Sequence, residues 1–111
     1  MNAMNMPADI PEVDPHEAKT RIADGAHHVD VREPDEFRAK RIPGAVTLPL
    51  SSFLEAYESQ LPKDLPIVVS CRSGARSGRV TAFLLEHGYD AVNLGGGILA
   101  WEEQGLDVEQ G

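Results

Sequence analysis

The sequence is poor in cysteine, in long hydrophobic runs and in clustered basic residues. Its single cysteine, Cys71, excludes an intramolecular disulfide, and with four scattered histidines it gives no metal-ligand set of the usual spacing. The longest apolar runs, such as residues 67–69, are far too short to span a membrane. We therefore expect no metal, no cofactor and no membrane partner, and Cys71 is either an inert core residue or a reactive thiol.

Charge and composition exclude further classes of protein. With a formal net charge of −8 and a pI of about 4.8, the chain would repel a phosphate backbone, so we expect no nucleic-acid partner. Hydrophobic residues at 41% and charged residues at 25% are typical of a globular protein. The first twelve residues lack the basic and apolar regions of a secretory signal, and we expect a cytoplasmic protein.

The length of the chain and the order of its patterns indicate one α/β domain. We assign residues 10–108 to the domain, residues 1–9 to a flexible N-terminal segment and residues 109–111 to a C-terminal tail. Helices are predicted at 15–24, 34–39, 52–60, 76–87 and after 97, and strands at 10–13, 27–31, 45–48, 66–70 and 91–94. The strand at 66–70 is apolar with little alternation, so we expect it at the centre of a parallel sheet. Ser52 and Glu55 have the spacing of a capping box.

Cys71 opens a short loop, residues 71–77, between the central strand and a helix. In open α/β sheets the carboxyl ends of the strands hold the ligand. Unpaired N–H groups and the helix dipole favour an anion at a helix start. Three arginines and no acidic residue lie between residues 65 and 85, namely Arg72, Arg76 and Arg79. This environment lowers the pKa of a thiol, so we predict that Cys71 is largely a thiolate near neutral pH.

The simpler alternative is that Cys71 is a buried, unreactive core residue, as many free cysteines are. Such a cysteine has no need of a glycine-bearing loop with two arginines at the start of a helix. The flanking residues therefore favour the reactive thiol.

Three segments, in order, resemble the signatures of the rhodanese superfamily, and the likeness covers residues 10 to 108. The first is Asp30-Val31-Arg32-Glu33-Pro34 with Glu36-Phe37 and Ile42-Pro43-Gly44-Ala45, the second is the loop from Cys71 to Arg76, and the third is Leu94-Gly95-Gly96 with Trp101. One CxxGxR loop alone would be weak evidence, whereas the ordered set is specific.

The resemblance implies a rhodanese-like α/β fold, with a five-stranded parallel sheet flanked by helices on both faces. It also implies a sulfurtransferase of the thiosulfate type. In that family the loop cysteine, here Cys71, takes the outer sulfur of thiosulfate or another small anionic donor and keeps it as a persulfide. Cyanide or a thiol, including a protein thiol, then removes the sulfur. The loop residues that would bind the donor are Arg72, Ser73, Gly74, Ala75 and Arg76, with both arginines holding its anionic end.

Several residues around this loop have more than one interpretation. Asp30 and Arg32 end a strand, where they either support the loop, with Asp30 accepting a backbone hydrogen bond, or pair with each other. Ser77 is a further supporting residue. The glycines at 95–97 lack the lysine of a phosphate-binding loop, and we predict a structural turn close to residues 71–77. The family often has Gly-His where this chain has Lys40-Arg41, whose charge either shapes the pocket rim or has no role.

Two other functions remain as alternatives. The domain could be a sulfur relay or sensor with little turnover on thiosulfate. It could also be a phosphatase, because phosphatases share this fold. Their loop, however, has five residues between cysteine and arginine, whereas this chain has four, and the shorter ring accommodates a tetrahedral phosphate poorly.

Overall fold

The computed structural model describes residues 10–111, so the predicted flexible segment at residues 1–9 lies outside the described residues. The strands are β1 Glu12–Val13, β2 His27–Asp30, β3 Lys40–Arg41, β4 Val46–Thr47, β5 Ile67–Ser70, β6 Ala91–Leu94 and β7 Glu109–Gln110. The helices are α1 Pro15–Ala23, α2 Pro34–Ala39, α3 Phe53–Gln60, α4 Ala75–Glu86 and α5 Gly97–Glu103, with a 3₁₀ turn at Leu50–Ser52. No helix in residues 10–111 is both long enough and apolar enough to cross a membrane.

Five strands form one sheet in the order β1-β6-β5-β2-β4, and all its neighbouring strands are parallel. The predicted α/β class and five-stranded parallel sheet are thus confirmed. The strand β5 lies in the middle, as its continuous apolar sequence predicts, and all four of its residues are buried.

Helices cover both faces of the sheet. Alternate side chains of a strand point to opposite faces, and those of β5 enter two separate hydrophobic clusters. Ile67 and Val69 pack in the cluster that contains Phe53 of α3 and Leu84 of α4. Val68 packs in the cluster that contains residues of α1 and α5, including Ala18, Ile98 and Trp101. The helices on both faces therefore pack against β5, the strand that leads into Cys71.

The helix starts agree only in part with the sequence patterns. Asp14 caps α1, since its Oδ1 accepts a 2.8 Å hydrogen bond from the Glu17 N–H. The predicted capping box at Ser52 is wrong, because the Ser52 side chain makes no capping bond. Its hydroxyl instead donates to the carbonyl of Pro49, which belongs to the 3₁₀ turn that precedes α3.

A second, antiparallel pair of strands was not predicted. In it β3 pairs with β7, so that Lys40 lies opposite Gln110 and Arg41 lies opposite Glu109. One ion pair reinforces this contact, with 3.3 Å between Arg41 and Glu109, whereas Lys40 pairs at 3.0 Å with Glu102 of α5. Residues 109–110, assigned from the sequence to a C-terminal tail, thus form a strand, and the charge at position 41 contacts that strand.

Candidate active site

Cys71 lies at the carboxyl end of β5, directly after Ser70 and four residues before α4 begins. The strand is central and both of its faces are covered, so the chain leaves the sheet between two layers of helices. Cys71 is only 1% exposed and packs beside Val80 of α4. The loop itself is more open, with Arg72, Ser73 and Ala75 all exposed.

Three hydrogen-bond donors point at the cysteine sulfur. The N–H of Gly74 lies 3.1 Å from Sγ, the N–H of Ser77 lies 3.4 Å away, and the Ser77 hydroxyl lies 3.3 Å away. Burial is the largest influence on the pKa of Cys71 and raises it, whereas the hydrogen bonds from Ser77, Gly74 and Ser73 lower it. The hydrogen bonds outweigh burial, and the net effect is a lowered pKa. The sulfur is therefore buried in a polar cradle that favours its anion.

The first amides of α5 hold the loop from behind. The Ile98 N–H donates to the carbonyl of Cys71 at 3.0 Å, and the Leu99 N–H donates to the carbonyl of Arg72 at 3.2 Å. These two bonds fix the carbonyls of the first two loop residues and so restrict the backbone that carries the sulfur. Gly97 permits this approach, because a Cβ there would lie 2.3 Å from the Arg72 oxygen. The prediction of a structural glycine turn close to the loop is confirmed.

Arg76 is held by an acidic residue to which the sequence patterns assigned no role. Its guanidinium donates two hydrogen bonds to the carboxylate of Glu36, at 2.9 and 3.0 Å, and both side chains are 29% exposed. The bond from Arg76 holds the pKa of Glu36 at about 2, and Glu36 in turn raises the pKa of Arg76. The charges of residues 65–85 alone do not reveal that Arg76 is neutralised, because Glu36 reaches the loop from α2.

Asp30 and Arg32 bind each other rather than the loop. The Asp30 carboxylate accepts bonds from the Arg32 backbone N–H and from its guanidinium, the shortest at 2.7 Å, and both side chains are almost fully buried. The guanidinium also donates to the carbonyls of Glu36 and Lys40. Arg32 therefore anchors the end of α2, and it supports Arg76 only by placing the helix that carries Glu36.

Asn93 is a second site residue that the sequence patterns did not indicate. It lies in β6, is fully buried, and accepts a 2.6 Å hydrogen bond from the Ser77 hydroxyl. Its amide donates to the carbonyl of Gly74 at 3.1 Å and to the carboxylate of Glu12 at 3.0 Å. A polar residue in a wholly buried strand was the signal available in the sequence, since such a group must find partners inside the fold.

This arrangement suits a nucleophile that needs no separate base. A thiolate held by amide and hydroxyl donors can attack directly, because its negative charge is already stabilised. Arg76 uses two of its five N–H donors on Glu36, which leaves donors for a substrate anion. Arg72 is a second cation, exposed on the loop itself. The site can therefore bind a small anion next to a nucleophilic sulfur.

Comparison with known proteins shows the family. A model described as the rhodanese-like domain matches residues 14–104. A sulfurtransferase of Allochromatium vinosum is 40% identical over 89% of this chain and 94% of its own length, and the thiosulfate sulfurtransferase GlpE of Actinobacillus succinogenes is 36% identical over 88% and 89%. The crystal structure of a rhodanese-related protein from Thermoplasma volcanium is 29% identical, has a TM-score of 0.83, and matches over 89% of this chain and 97% of that one. Together with the cysteine loop, these matches show that the chain belongs to the rhodanese-like domain family.

Proposed function

We propose that this protein is a sulfurtransferase that carries a sulfane sulfur as a persulfide on Cys71. The donor is thiosulfate or a persulfide, and the acceptor is cyanide or a thiol, including a protein thiol. The observation that supports this most directly is the convergence of the Gly74 and Ser77 donors on one sulfur atom. The relatives named as sulfurtransferases, one of them a thiosulfate sulfurtransferase, support the same reaction.

The loading step is a direct attack of the cysteine thiolate on the sulfur donor. The Cys71 thiolate attacks the outer sulfur of thiosulfate, an S–S bond forms at Sγ, and the bond to the sulfonate sulfur breaks. Sulfite leaves with the electron pair, so no proton has to move. Arg72 and Arg76 bind the oxygens of the leaving sulfite, for which the planar guanidinium is well suited.

The loop residues between the two arginines contribute through their backbones. Gly74 directs its N–H at the sulfur, and Ser73 lies beside it in the loop; the Gly74 N–H is a donor that a negative charge on the persulfide can use. Ala75 and Arg76 open α4, whose helix dipole favours an anion at the same place. The four-residue spacing fits a single sulfur atom better than a phosphate, which is why we rank phosphatase activity below both sulfur transfer and sulfur relay.

A cytoplasmic location is part of the proposal. A single reactive cysteine has no intramolecular partner, and a reducing compartment keeps such a thiol free for the reaction.

Intact mass spectrometry after incubation with thiosulfate tests the proposal. We expect the protein to gain one sulfur atom, to lose it again on addition of cyanide, and to gain none as the Cys71→Ser variant. An Arg21→Gln variant, altered in an exposed ion pair on α1, is the matched control and should load normally.

The alternatives give different results. Loading of Cys71 by a protein persulfide donor, with no thiocyanate formed from thiosulfate and cyanide, would identify a relay instead of an enzyme that turns over. Turnover of an aryl phosphate that depends on Cys71 would favour the phosphatase and contradict the proposal.

A further inference from the structure

The hydroxyl of Ser77 has two acceptors within reach and one hydrogen to donate. Its Oγ lies 2.6 Å from Asn93 Oδ1 and 3.3 Å from Cys71 Sγ. Ser77 and Asn93 are both fully buried, and Cys71 is 1% exposed. The hydroxyl must therefore choose between the amide oxygen and the sulfur, and the choice depends on the charge of the sulfur.

The orientation of the Asn93 amide is fixed by its other neighbours. Its nitrogen donates to the carbonyl of Gly74 and to the carboxylate of Glu12, both of which can only accept. Turning the amide over would set its oxygen against these two oxygens. Oδ1 is thus held toward Ser77, and Glu12 reaches the site from the edge strand β1.

We propose that the Ser77 hydroxyl is a switching donor that bonds to Asn93 while Sγ carries a second sulfur and turns to Sγ when the sulfur becomes a free anion. Asn93 is the positioning residue that accepts the hydroxyl between turnovers. The role in turnover rests on the proposed function, since the persulfide is one of the two states. The change of hydrogen-bond partner between the thiol and the thiolate forms of Cys71 does not depend on the proposed function.

The discharge step shows what the switch does. The acceptor's lone pair forms a bond to the outer sulfur, the S–S bond to Sγ breaks, and its electron pair stays on Sγ. As that negative charge develops, the Ser77 O–H leaves Asn93 and donates to Sγ, with no proton passing from oxygen to sulfur. A donor that is already in place and only rotates stabilises the leaving group at little cost in reorganisation.

Several charged groups face this part of the molecule and act on the thiol independently of Ser77. Arg76 of α4 is paired with Glu36 of α2, and Asp30 at the end of β2 is paired with Arg32. Arg72 is exposed on the loop, and Glu12 of β1 lies behind Asn93. Arg72 stays exposed, and Arg76 and Asp30 keep their partners, when Ser77 or Asn93 is changed. The release of Glu12 by an Asn93 variant occurs equally with serine or alanine at position 77. A comparison of single and double variants therefore removes these contributions.

The test is the pKa of the Cys71 thiol, measured from the rate of alkylation by iodoacetamide across pH. We expect Ser77→Ala to raise it by about one unit, the size expected for losing one hydrogen bond to a charged group. Ser77→Thr keeps the hydroxyl and should restore most of the shift. Asn93→Leu removes the competing acceptor, so it should lower the thiol pKa, and the change should vanish when Ser77 is also alanine.

Asn93→Leu leaves few groups without partners. The Gly74 carbonyl also accepts the Gly78 N–H at 3.0 Å, and the exposed Glu12 can turn to water. If this variant does not fold, Asn93→Ala replaces it, because alanine removes the same acceptor and adds no bulk beside the loop. It should lower the thiol pKa with Ser77 present, and the change should vanish with alanine at position 77.

The outcomes separate this proposal from the preceding one. Equal shifts in both backgrounds, or a rise in the thiol pKa in Asn93→Leu, would mean that Asn93 only holds the loop in shape and would overturn the switch. Alkylation requires no sulfur donor, so failure of thiosulfate to load Cys71 would count against the sulfurtransferase and leave this result intact.

Discussion

Glu36 and Arg76 form a bidentate ion pair that joins the first turn of α2 to the first turn of α4. The ion pair fixes the position of the Arg76 guanidinium, but the negative charge of Glu36 offsets part of its positive charge. Because Arg76 acts in the proposed reaction as a fork for oxygens, its charge and its shape both matter.

We expect Arg76→Met to lower kcat/KM for thiosulfate roughly 10- to 100-fold, mainly through a higher KM, since it removes hydrogen bonds to a charged substrate. Glu36→Gln retains an oxygen acceptor for Arg76 but removes the opposing charge, so it should lower KM for thiosulfate. Steady-state kinetics with cyanide as acceptor measures both changes. An unchanged KM in Arg76→Met would show that the guanidinium does not bind the donor.

His28 should make the stability of the fold depend on pH. Its ring is buried in β2, where Nε2 bonds to the Ser70 hydroxyl at 2.8 Å and Nδ1 has no partner among the described residues. Burial lowers its pKa to about 4, whereas an unfolded histidine titrates near 6.5. Between these values the unfolded chain takes up a proton that the folded chain does not, so stability falls as the pH is lowered from 6.5 to 4.

The loss from His28 should be about 3 kcal/mol, from the difference between the two pKa values. Urea unfolding at several pH values should show a smaller loss over this range for His28→Gln than for the unmodified protein. His87→Gln, a change at an exposed histidine, is the control. Parallel curves for all three proteins would contradict the assignment.

Gly97 should tolerate no side chain. It has a positive φ of 61°, and a Cβ would lie 2.3 Å from the Arg72 oxygen and 2.6 Å from the Cys71 oxygen. Gly105 is a matched control with a φ of 81° and nothing within 4 Å of its Cβ position. Gly105→Ala should cost about 1 kcal/mol of stability from the backbone alone.

Gly97→Ala should cost clearly more, and it should also slow alkylation of Cys71, because the loop carbonyls must move. Thermal unfolding and the alkylation rate at pH 7 measure the two effects. Equal losses of stability at positions 97 and 105 would show that the contact with the loop is not tight.

Replacing only one member of the buried pair of Asp30 and Arg32 should strongly destabilise the fold. Arg32→Met leaves a buried carboxylate without its partner, and we expect a loss of about 3 to 5 kcal/mol. The double variant Asp30→Asn with Arg32→Met should recover part of this loss. Arg21→Met, which breaks the exposed pair with Glu17, should cost less than about 1 kcal/mol. Chemical denaturation distinguishes these cases.

The local parts of the site could be predicted from the sequence. Cys71 and the glycines at 95–97 lie where a strand meets a turn, and such junctions are marked by residue type and by a change of hydrophobic period. The order of the elements likewise predicts the parallel sheet. These features depend on neighbours along the chain, so they can be predicted from a single sequence.

The partners across space could not be predicted in this way. Glu36 reaches Arg76 from 40 residues away, and Asn93 reaches Ser77 from 16 residues away. For Asp30, two partners were equally compatible with the sequence, and the choice depends on where the guanidinium of Arg32 can turn. Ser52 has the spacing of a cap, yet the 3₁₀ turn before α3 redirects its hydroxyl.

The contact between α5 and residues 71–72 has a consequence for how the protein acquires its reactivity. The amides that orient the nucleophile are set by a helix that follows it by more than twenty residues, so a ribosome-bound chain ending at α4 would carry an ordinary thiol. A protease cut before α5 would return it to that condition. Activation of the sulfur therefore requires that the carboxyl-terminal part of the domain has folded onto the loop.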